Sequence, residues 1–167
     1  IFSVASFVRD RTKASTPKMQ QSKALCELNM AIISRTKATL RISGPDLDPE
    51  DITNSLGGFP TLSRKKGDVI RSKNGNERIS SFGQWHISAS EMEPGDLDSQ
   101  ISEILNGLSY NIDNWVYIAD NYKVDMFCGL FMEQQMEGID LTPDTLFKLG
   151  QRKIILDLDI YGPDEPE

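Results

Sequence analysis

Two aspartates near the carboxyl end of the sequence have a spacing that could do chemistry. Asp157 and Asp159 lie two residues apart in "LDLDIY", so in a strand they share one face, roughly 7 Å apart. Such a pair could hold Mg²⁺ or act as acid and base, which with His86 gives the hypothesis of a metal-dependent hydrolase or phosphoesterase. Arg41, on the polar face of another predicted strand, could instead neutralise one of the carboxylates.

His86 is the chain's one histidine. It has no second histidine to complete a metal site and no Ser or Cys motif whose nucleophile it could activate. Its place beside Trp85 in "GQWHIS" is typical of a hydrogen-bonded strand residue. The sequence therefore assigns no catalytic residue, no metal ligand and no cofactor.

A basic segment, "SRKKGDVIRSKNGNER", precedes this strand. The glycine of "KKGD" could present backbone N–H groups to an anion, although the segment lacks the GxxxxGK[ST] arrangement of a phosphate loop. Two readings stay open: a solvated hairpin whose charge keeps it soluble, and a docking surface for an acidic protein. The candidate partner-binding residues are Arg64, Lys65, Lys66, Gly67, Asp68, Arg71, Lys73 and Arg78.

Charge and composition exclude several classes of protein. The 167 residues carry a net charge of -7, with 38% hydrophobic and 26% charged residues, as in globular proteins. No run approaches the roughly 18 apolar residues of a membrane span, and the acidic second half repels nucleic acid. Cys26 and Cys128 lack metal-ligand spacing, which predicts buried thiols and a cytoplasmic location.

The sequence divides into three parts. Residues 1–29 are predicted to be an N-terminal extension, partly flexible and with a short helix, and residues 163–167 an acidic tail. Residues 30–162 are predicted to form a single α+β domain. Its elements are the strand "KATLRIS", a helix opened by Asp48 and Pro49, a hairpin around "KNGN" whose second arm runs on through "GQWHIS", a long helix from Asp96 with a break near Gly107, the strand "KVDMFCGLFME", a helix from Thr142 to Gly150, and the strand "RKIILDLDIY".

This order predicts a two-layer α+β sandwich. The first six elements, with the hairpin counted as two strands, follow the ferredoxin-like plan, and a helix and strand are added at the C-terminus. We expect an antiparallel or mixed sheet with helices on one face. The other face could carry Arg41, His86, Phe127, Phe131, Asp157 and Asp159.

The aromatic residues of that face permit two further readings. Phe127 and Phe131 could stack bases as RNA-recognition domains do, but the characteristic Lys/Arg-Gly-Phe-x-Phe type of pattern is absent and acidic residues surround them. The amino-terminal helix, or a second subunit in a homodimer, could instead cover the face. Nucleic acid is therefore the less favoured partner.

The motifs "LRISGPDLDPEDITNSLG", "RKKGD", "GQWHIS" and "LTPDTLFKLGQRKIILDLDIY" occur in an order and spacing that resemble the bacterial domain-of-unknown-function family 4279. The resemblance covers about residues 36–162. It implies a compact intracellular α+β domain and supplies no catalytic residue. We therefore expect a non-enzymatic module that binds another protein with an acidic surface. An immunity or antitoxin-like role is suggested only by analogy.

Overall fold

The computed structural model of the protein describes residues 31–163, so the predicted extension 1–29 and most of the predicted tail lie outside it. In the described residues the chain forms seven strands and four helices. The strands are β1 (Arg35–Gly44), β2 (Leu62–Arg64), β3 (Val69–Arg71), β4 (Glu77–Ile79), β5 (Gly83–Ser88), β6 (Lys123–Phe131) and β7 (Ile155–Tyr161). The helices are α1 (Pro49–Leu56), α2 (Leu97–Asn106), α3 (Ile112–Asn121) and α4 (Pro143–Gln151).

Five of the strands form one mixed sheet in the order β2-β5-β1-β6-β7. The central strand β1 is antiparallel to β5 and β6, and β2 is antiparallel to β5. The last strand, β7, is parallel to β6, because α4 returns the chain to the end of the sheet at which β6 begins. The predicted α+β class is confirmed, and of the two predicted sheet types, antiparallel or mixed, the sheet is mixed.

Alternation along β1 decides which side of the sheet is buried. Ala38, Leu40 and Ile42 are completely buried and belong to the core that the helices cover. Their neighbours on β6 and β5 continue this side, since Leu40 pairs with Met126 and Ile42 with Trp85. We call the opposite side the open face; its residues, defined by strand register, include Arg41, His86, Asp125, Phe127, Phe131, Asp157, Asp159 and Tyr161.

The helices begin where their capping residues predict. The Asp48 side chain accepts a hydrogen bond from the Glu50 N–H, and Pro49 opens the first turn of α1. Asp96 and Thr142 cap α2 and α4 in the same way. The predicted break in the long helix is also confirmed, since α2 ends at Asn106 and α3 begins at Ile112.

The basic hairpin differs from its prediction. Its arms, β3 and β4, form a separate two-stranded sheet, and the second arm ends at Ile79 instead of continuing into β5. The place beside β5 is taken by β2, a strand of three residues that the sequence does not predict. Val69 and Ile79 of this small sheet are both largely exposed, so the hairpin buries little apolar surface.

Gly75, in the hairpin turn, and Gly83, just after the hairpin, are glycines for different structural reasons. Gly75 alone takes the positive φ of the turn, at 85°, whereas we expect positive φ at Asn74 as well. Gly83, for which the sequence suggests a bulge or bend, pairs in register with Gly44. A Cβ at Gly83 would collide with the backbone carbonyl of Leu47, so close approach of two chain segments requires glycine there.

The end of α4 also departs from expectation. Gly150 is predicted to stop the helix, but α4 continues to Gln151 and Lys153 adopts the positive φ, at 54°. Among the described residues, none of the helices combines the length and the apolar character that crossing a membrane requires.

Candidate functional site

Arg41 is the centre of the charged cluster on the open face. Its Nε donates to Asp125 Oδ1 at 2.5 Å and its Nη2 to Asp157 Oδ2 at 2.9 Å. The guanidinium therefore joins three adjacent strands, β1, β6 and β7. Asp125 is almost completely buried, and Lys123 Nζ contacts its second oxygen at 3.0 Å. The expectation that Arg41 neutralises one of the two strand aspartates is confirmed for Asp157.

The aromatic rings of the open face are covered by cations and by each other. The Arg41 guanidinium carbon lies 4.2 Å from the centre of the Phe127 ring, and that of Arg35 lies 3.8 Å from the Phe131 ring. Phe131 also stacks on Tyr161, with ring centres 4.8 Å apart. This stack borders a cleft of about 490 Å³ at the end of the sheet. Phe127 and Phe131 thus each have a guanidinium stacked on one face of the ring.

The structure does not bring together the three side chains that the hydrolase hypothesis needs. His86 is on β5 and the two aspartates are on β7, with β1 and β6 between them. Three interstrand spacings amount to about 14 Å, whereas the oxygen ligands of one Mg²⁺ or Ca²⁺ ion lie about 2.0–2.6 Å from it. Asp159, moreover, accepts a hydrogen bond from the Tyr161 hydroxyl at 3.0 Å. Within residues 31–163, no group of three His, Cys, Asp or Glu side chains is arranged to hold a metal ion.

His86 is half-buried between Arg41 and Leu62, its neighbours in register. Burial lowers the pKa of His86 below its usual range, and the positive charges of Arg41 and Arg64 act in the same direction, while Asp125 opposes them. The imidazole is therefore neutral at pH 7. Its surroundings are those of a strand residue in a charged row.

This environment predicts a pH dependence of stability. Because the folded state lowers the pKa of His86, the unfolded chain binds the proton more readily, and stability falls as the pH drops below about 6.5. His86→Gln should remove this pH dependence. The stability of the variant relative to the wild type should therefore increase as the pH is lowered from about 7.5 to 5. Urea unfolding at both pH values measures the difference. An imidazole NMR titration with a midpoint at or above 6.5 would contradict the prediction.

Cys128 has the properties of a structural thiol. It is completely buried on the core side of β6, and its Sγ lies 3.6 Å from the Met126 carbonyl oxygen. Burial raises the pKa of this thiol to about 12, so it stays protonated and is a poor nucleophile. The other cysteine, Cys26, lies outside the described residues.

The cations of the basic segment fall into two groups. Lys65 Nζ contacts Asp48 at 3.0 Å and Glu50 at 3.4 Å, and Lys66 lies 3.8 Å from Asp46. These contacts attach the base of the hairpin to the start of α1. Arg71 pairs with Glu77 across the hairpin at 2.6 Å. Among the described residues, Arg64, Lys73 and Arg78 have no carboxylate within 4.0 Å.

The "KKGD" loop uses its backbone groups internally. The Lys65 N–H donates to the Asp68 side chain at 2.7 Å, the Gly67 N–H to the Ser80 carbonyl at 2.9 Å, and the Asp68 N–H to the Lys65 carbonyl at 3.2 Å. These hydrogen bonds close the base of the hairpin. The amides of Lys65, Gly67 and Asp68 are therefore engaged, and the loop is not an open cradle for an anion.

The hairpin also displays apolar surface. Val69 and Ile79 are directly opposite each other on β3 and β4, and they are 58% and 71% exposed. Arg71 and Glu77 form the next pair on the same side. The result is an apolar pair on a projecting arm, bordered by charge. We call Val69 and Ile79 the hairpin pair.

Some of these features have no clear signal in the sequence. The burial of Asp125, which anchors Arg41, is one, although alternation along β6 places it on the same face as Phe127. The stack of Arg35, Phe131 and Tyr161 is another. Both depend on the pairing of β1, β6 and β7, which periodicity within one strand does not reveal.

The family model described as "Domain of unknown function (DUF4279)" matches residues 34–163. No curated protein and no solved structure gives a significant match. The matched range begins just before β1 and ends after β7, so it includes the five-stranded sheet, its open face and the hairpin.

Proposed function

The chain belongs to the family of domains of unknown function DUF4279, and from this premise we propose that it is a non-enzymatic module that binds another protein through the β3–β4 hairpin. The observation that carries the proposal is the hairpin pair, an apolar contact surface on a two-stranded arm outside the main sheet. Exposed apolar residues bordered by polar ones are the usual centre of a protein interface.

The ion pairs at the base support this role. Lys65 and Lys66 contact carboxylates at the start of α1, and backbone hydrogen bonds of Gly67 and Asp68 with Ser80 close the base of the hairpin, so this base is formed before a partner arrives. A preoriented arm loses less conformational entropy on binding. A fixed base and an exposed arm are what a docking element needs.

The charge of the arm indicates the chemistry of the partner. Lys73 and Arg78 have no carboxylate within ion-pair distance in the part of the chain that the structure describes. Arg78 lies opposite Ile70, on the other side of the hairpin from the hairpin pair. The arm therefore presents both cations and apolar residues, which favours a partner whose surface combines acidic and apolar residues. From Glu91 onward the protein is strongly acidic, so an acidic partner is repelled from that half of the sequence and favoured at the basic segments, of which the hairpin is one.

Affinity capture with the full chain tests the proposal. Substituting both residues of the hairpin pair, Val69→Ser and Ile79→Ser, should reduce the amount of a specific acidic partner captured from host lysate by at least about tenfold, since central apolar contacts dominate binding. The melting temperature should change little because both side chains are exposed. Mass spectrometry identifies and quantifies the captured protein.

The matched control removes a similar apolar pair elsewhere. Leu146 and Phe147 of α4 are 49% and 65% exposed, so Leu146→Ser with Phe147→Ser should leave capture unchanged. A photo-crosslinking residue at position 79 should join the partner, and one at position 146 should not. Equal capture by the two double variants would overturn the hairpin as the docking site.

We also infer that the fold is a ferredoxin-like two-layer sandwich. The order β2-β5-β1-β6, with β1 antiparallel to both neighbours, supports this inference, because it is the strand order of the split βαβ plan. In this description β3 and β4 are an insertion, and α4 with β7 is the addition at the C-terminal end. An experimental structure would test the layer arrangement.

We propose a cytoplasmic location for this module. The buried, reduced thiol of Cys128 supports it, since proteins of reducing compartments retain such thiols. Fractionation of the native host, with detection of the full protein, tests the location.

A further inference from the structure

The last strand, β7, has an edge that no described residue covers. It pairs with β6 on one side and is the terminal strand of the five-stranded sheet. It is seven residues long, whereas β2 at the opposite edge has three. A long free edge is a ready template for another strand.

The direction of its backbone groups follows from one hydrogen bond. The Tyr161 carbonyl accepts from the Met132 N–H at 2.9 Å, so Tyr161 directs its backbone groups toward β6. Alternate residues of a strand point their backbone groups to opposite sides. Leu156, Leu158 and Ile160 therefore direct their N–H and C=O groups to the free edge.

Two of these three outward residues have accessible apolar side chains, while Leu156 packs partly against the core. Leu158 is 43% exposed and Ile160 is 64% exposed, and the strand contains no lysine, proline or bulge that would discourage pairing. The charges present are Asp157 and Asp159, both on the open face. One side of the edge is thus apolar and the other is acidic.

The acidic side argues against a second copy of the same strand. If two β7 strands paired antiparallel about Leu158, every outward backbone group would find a partner, but Asp157 of each copy would be opposite Asp159 of the other. Like charges directly opposite in a sheet destabilise the pair. Arg41 already binds Asp157, and Asp159 has no cation within 4.0 Å among the described residues. The open charge therefore favours a basic occupant.

We propose that the free edge of β7 accepts an extended segment of a partner protein in which apolar residues alternate with lysine or arginine. The segment adds a sixth strand to the sheet. Its apolar residues lie opposite Leu156, Leu158 and Ile160, and its cations lie opposite Asp157 and Asp159. This site is separate from the hairpin, so either surface can fail its test without affecting the other.

Synthetic peptides test the proposal on the full chain by fluorescence anisotropy. The probe is an end-capped octapeptide that alternates valine and lysine, and the control has the same composition with the four valines and four lysines in separate blocks. The alternating peptide should bind at least about tenfold more tightly, because only it presents apolar and basic residues to the correct sides. In NMR spectra it should shift the amides of Leu156, Leu158 and Ile160.

Variants of the edge complete the test. Leu158→Lys should weaken the alternating peptide by at least about tenfold and Asp159→Lys by a similar factor. Asp51→Lys makes the same charge change at an exposed position of α1, which packs on β5 and not on β7, and should leave binding unchanged. Retained cooperative unfolding shows that each variant is folded. Equal affinity for the two peptides, binding unaffected by Leu158→Lys, or a stable dimer of the free chain in sedimentation would each overturn the proposal.

Discussion

Replacing Arg41 with alanine is expected to lower the free energy of unfolding by about 3 kcal/mol, because the substitution leaves Asp125 buried with an incomplete set of partners. The Asp125 side chain is 3% exposed, and Arg41 supplies its shortest ion pair. Lys123 still contacts the carboxylate at 3.0 Å. The expected loss is therefore near the lower end of the range for removing one partner of a buried ion pair. Urea unfolding at neutral pH measures it.

A matched control and a double variant separate two causes of this loss of stability: the loss of the guanidinium over a phenylalanine ring and the unpaired charge of buried Asp125. Arg35 also covers a phenylalanine, but its partner Glu91 is exposed, so Arg35→Ala should cost about 1 kcal/mol or less. Combining Arg41→Ala with Asp125→Ala should recover part of the loss, since the unpaired charge disappears with its partner. Equal losses for Arg41→Ala and Arg35→Ala would contradict the role of Asp125 as a buried anchor.

Trp85→Ala is expected to cost about 4 kcal/mol. Trp85 is completely buried on the core side of β5, and its indole N–H donates to the Thr53 hydroxyl on α1 at 2.9 Å. The substitution would remove a completely buried aromatic ring that joins the sheet to this helix and would leave a cavity. Denaturant unfolding should show a lower midpoint with an unchanged slope.

Trp85→Phe is the control for the hydrogen bond. The ring keeps most of the apolar contact while the donor to Thr53 is lost, so the expected cost is about 1–2 kcal/mol. Thr53 keeps its own hydrogen bond to the Pro49 carbonyl, at 3.0 Å. A loss below about 1 kcal/mol for Trp85→Ala would mean that the core tolerates the cavity and that the packing described for β5 is wrong.

Sequence patterns predict the long elements of this fold well. β1, β6 and β7 have clear alternation, and α1, α2 and α4 begin at the capping residues Asp48, Asp96 and Thr142. These signals are local, because caps and periodicity depend on neighbours in the chain. The shared face of Arg41, His86, Phe127 and Asp157 also follows from alternation once the strands are paired.

The parts that sequence does not predict depend on contacts between distant segments. β2 has three residues, too few for a period, and is a strand because β5 pairs with it. In sequence the basic segment looks like one continuous patch of free cations. In the structure, however, Lys65 and Lys66 are paired with carboxylates on and just before α1. Among the described residues, the cations of this segment without a paired carboxylate are therefore Arg64, Lys73 and Arg78, and these are the charged residues to test.

The position of β1 in the sheet has a consequence for the order of folding. This strand is the earliest in sequence of the five, yet it lies at the centre and is paired on both sides by segments that follow it. Its second side is completed only by β6, after α2 and α3 have been synthesised. Until β6 is synthesised, the edge of β1 that faces it has no strand to pair with, so we expect the sheet to close late in folding.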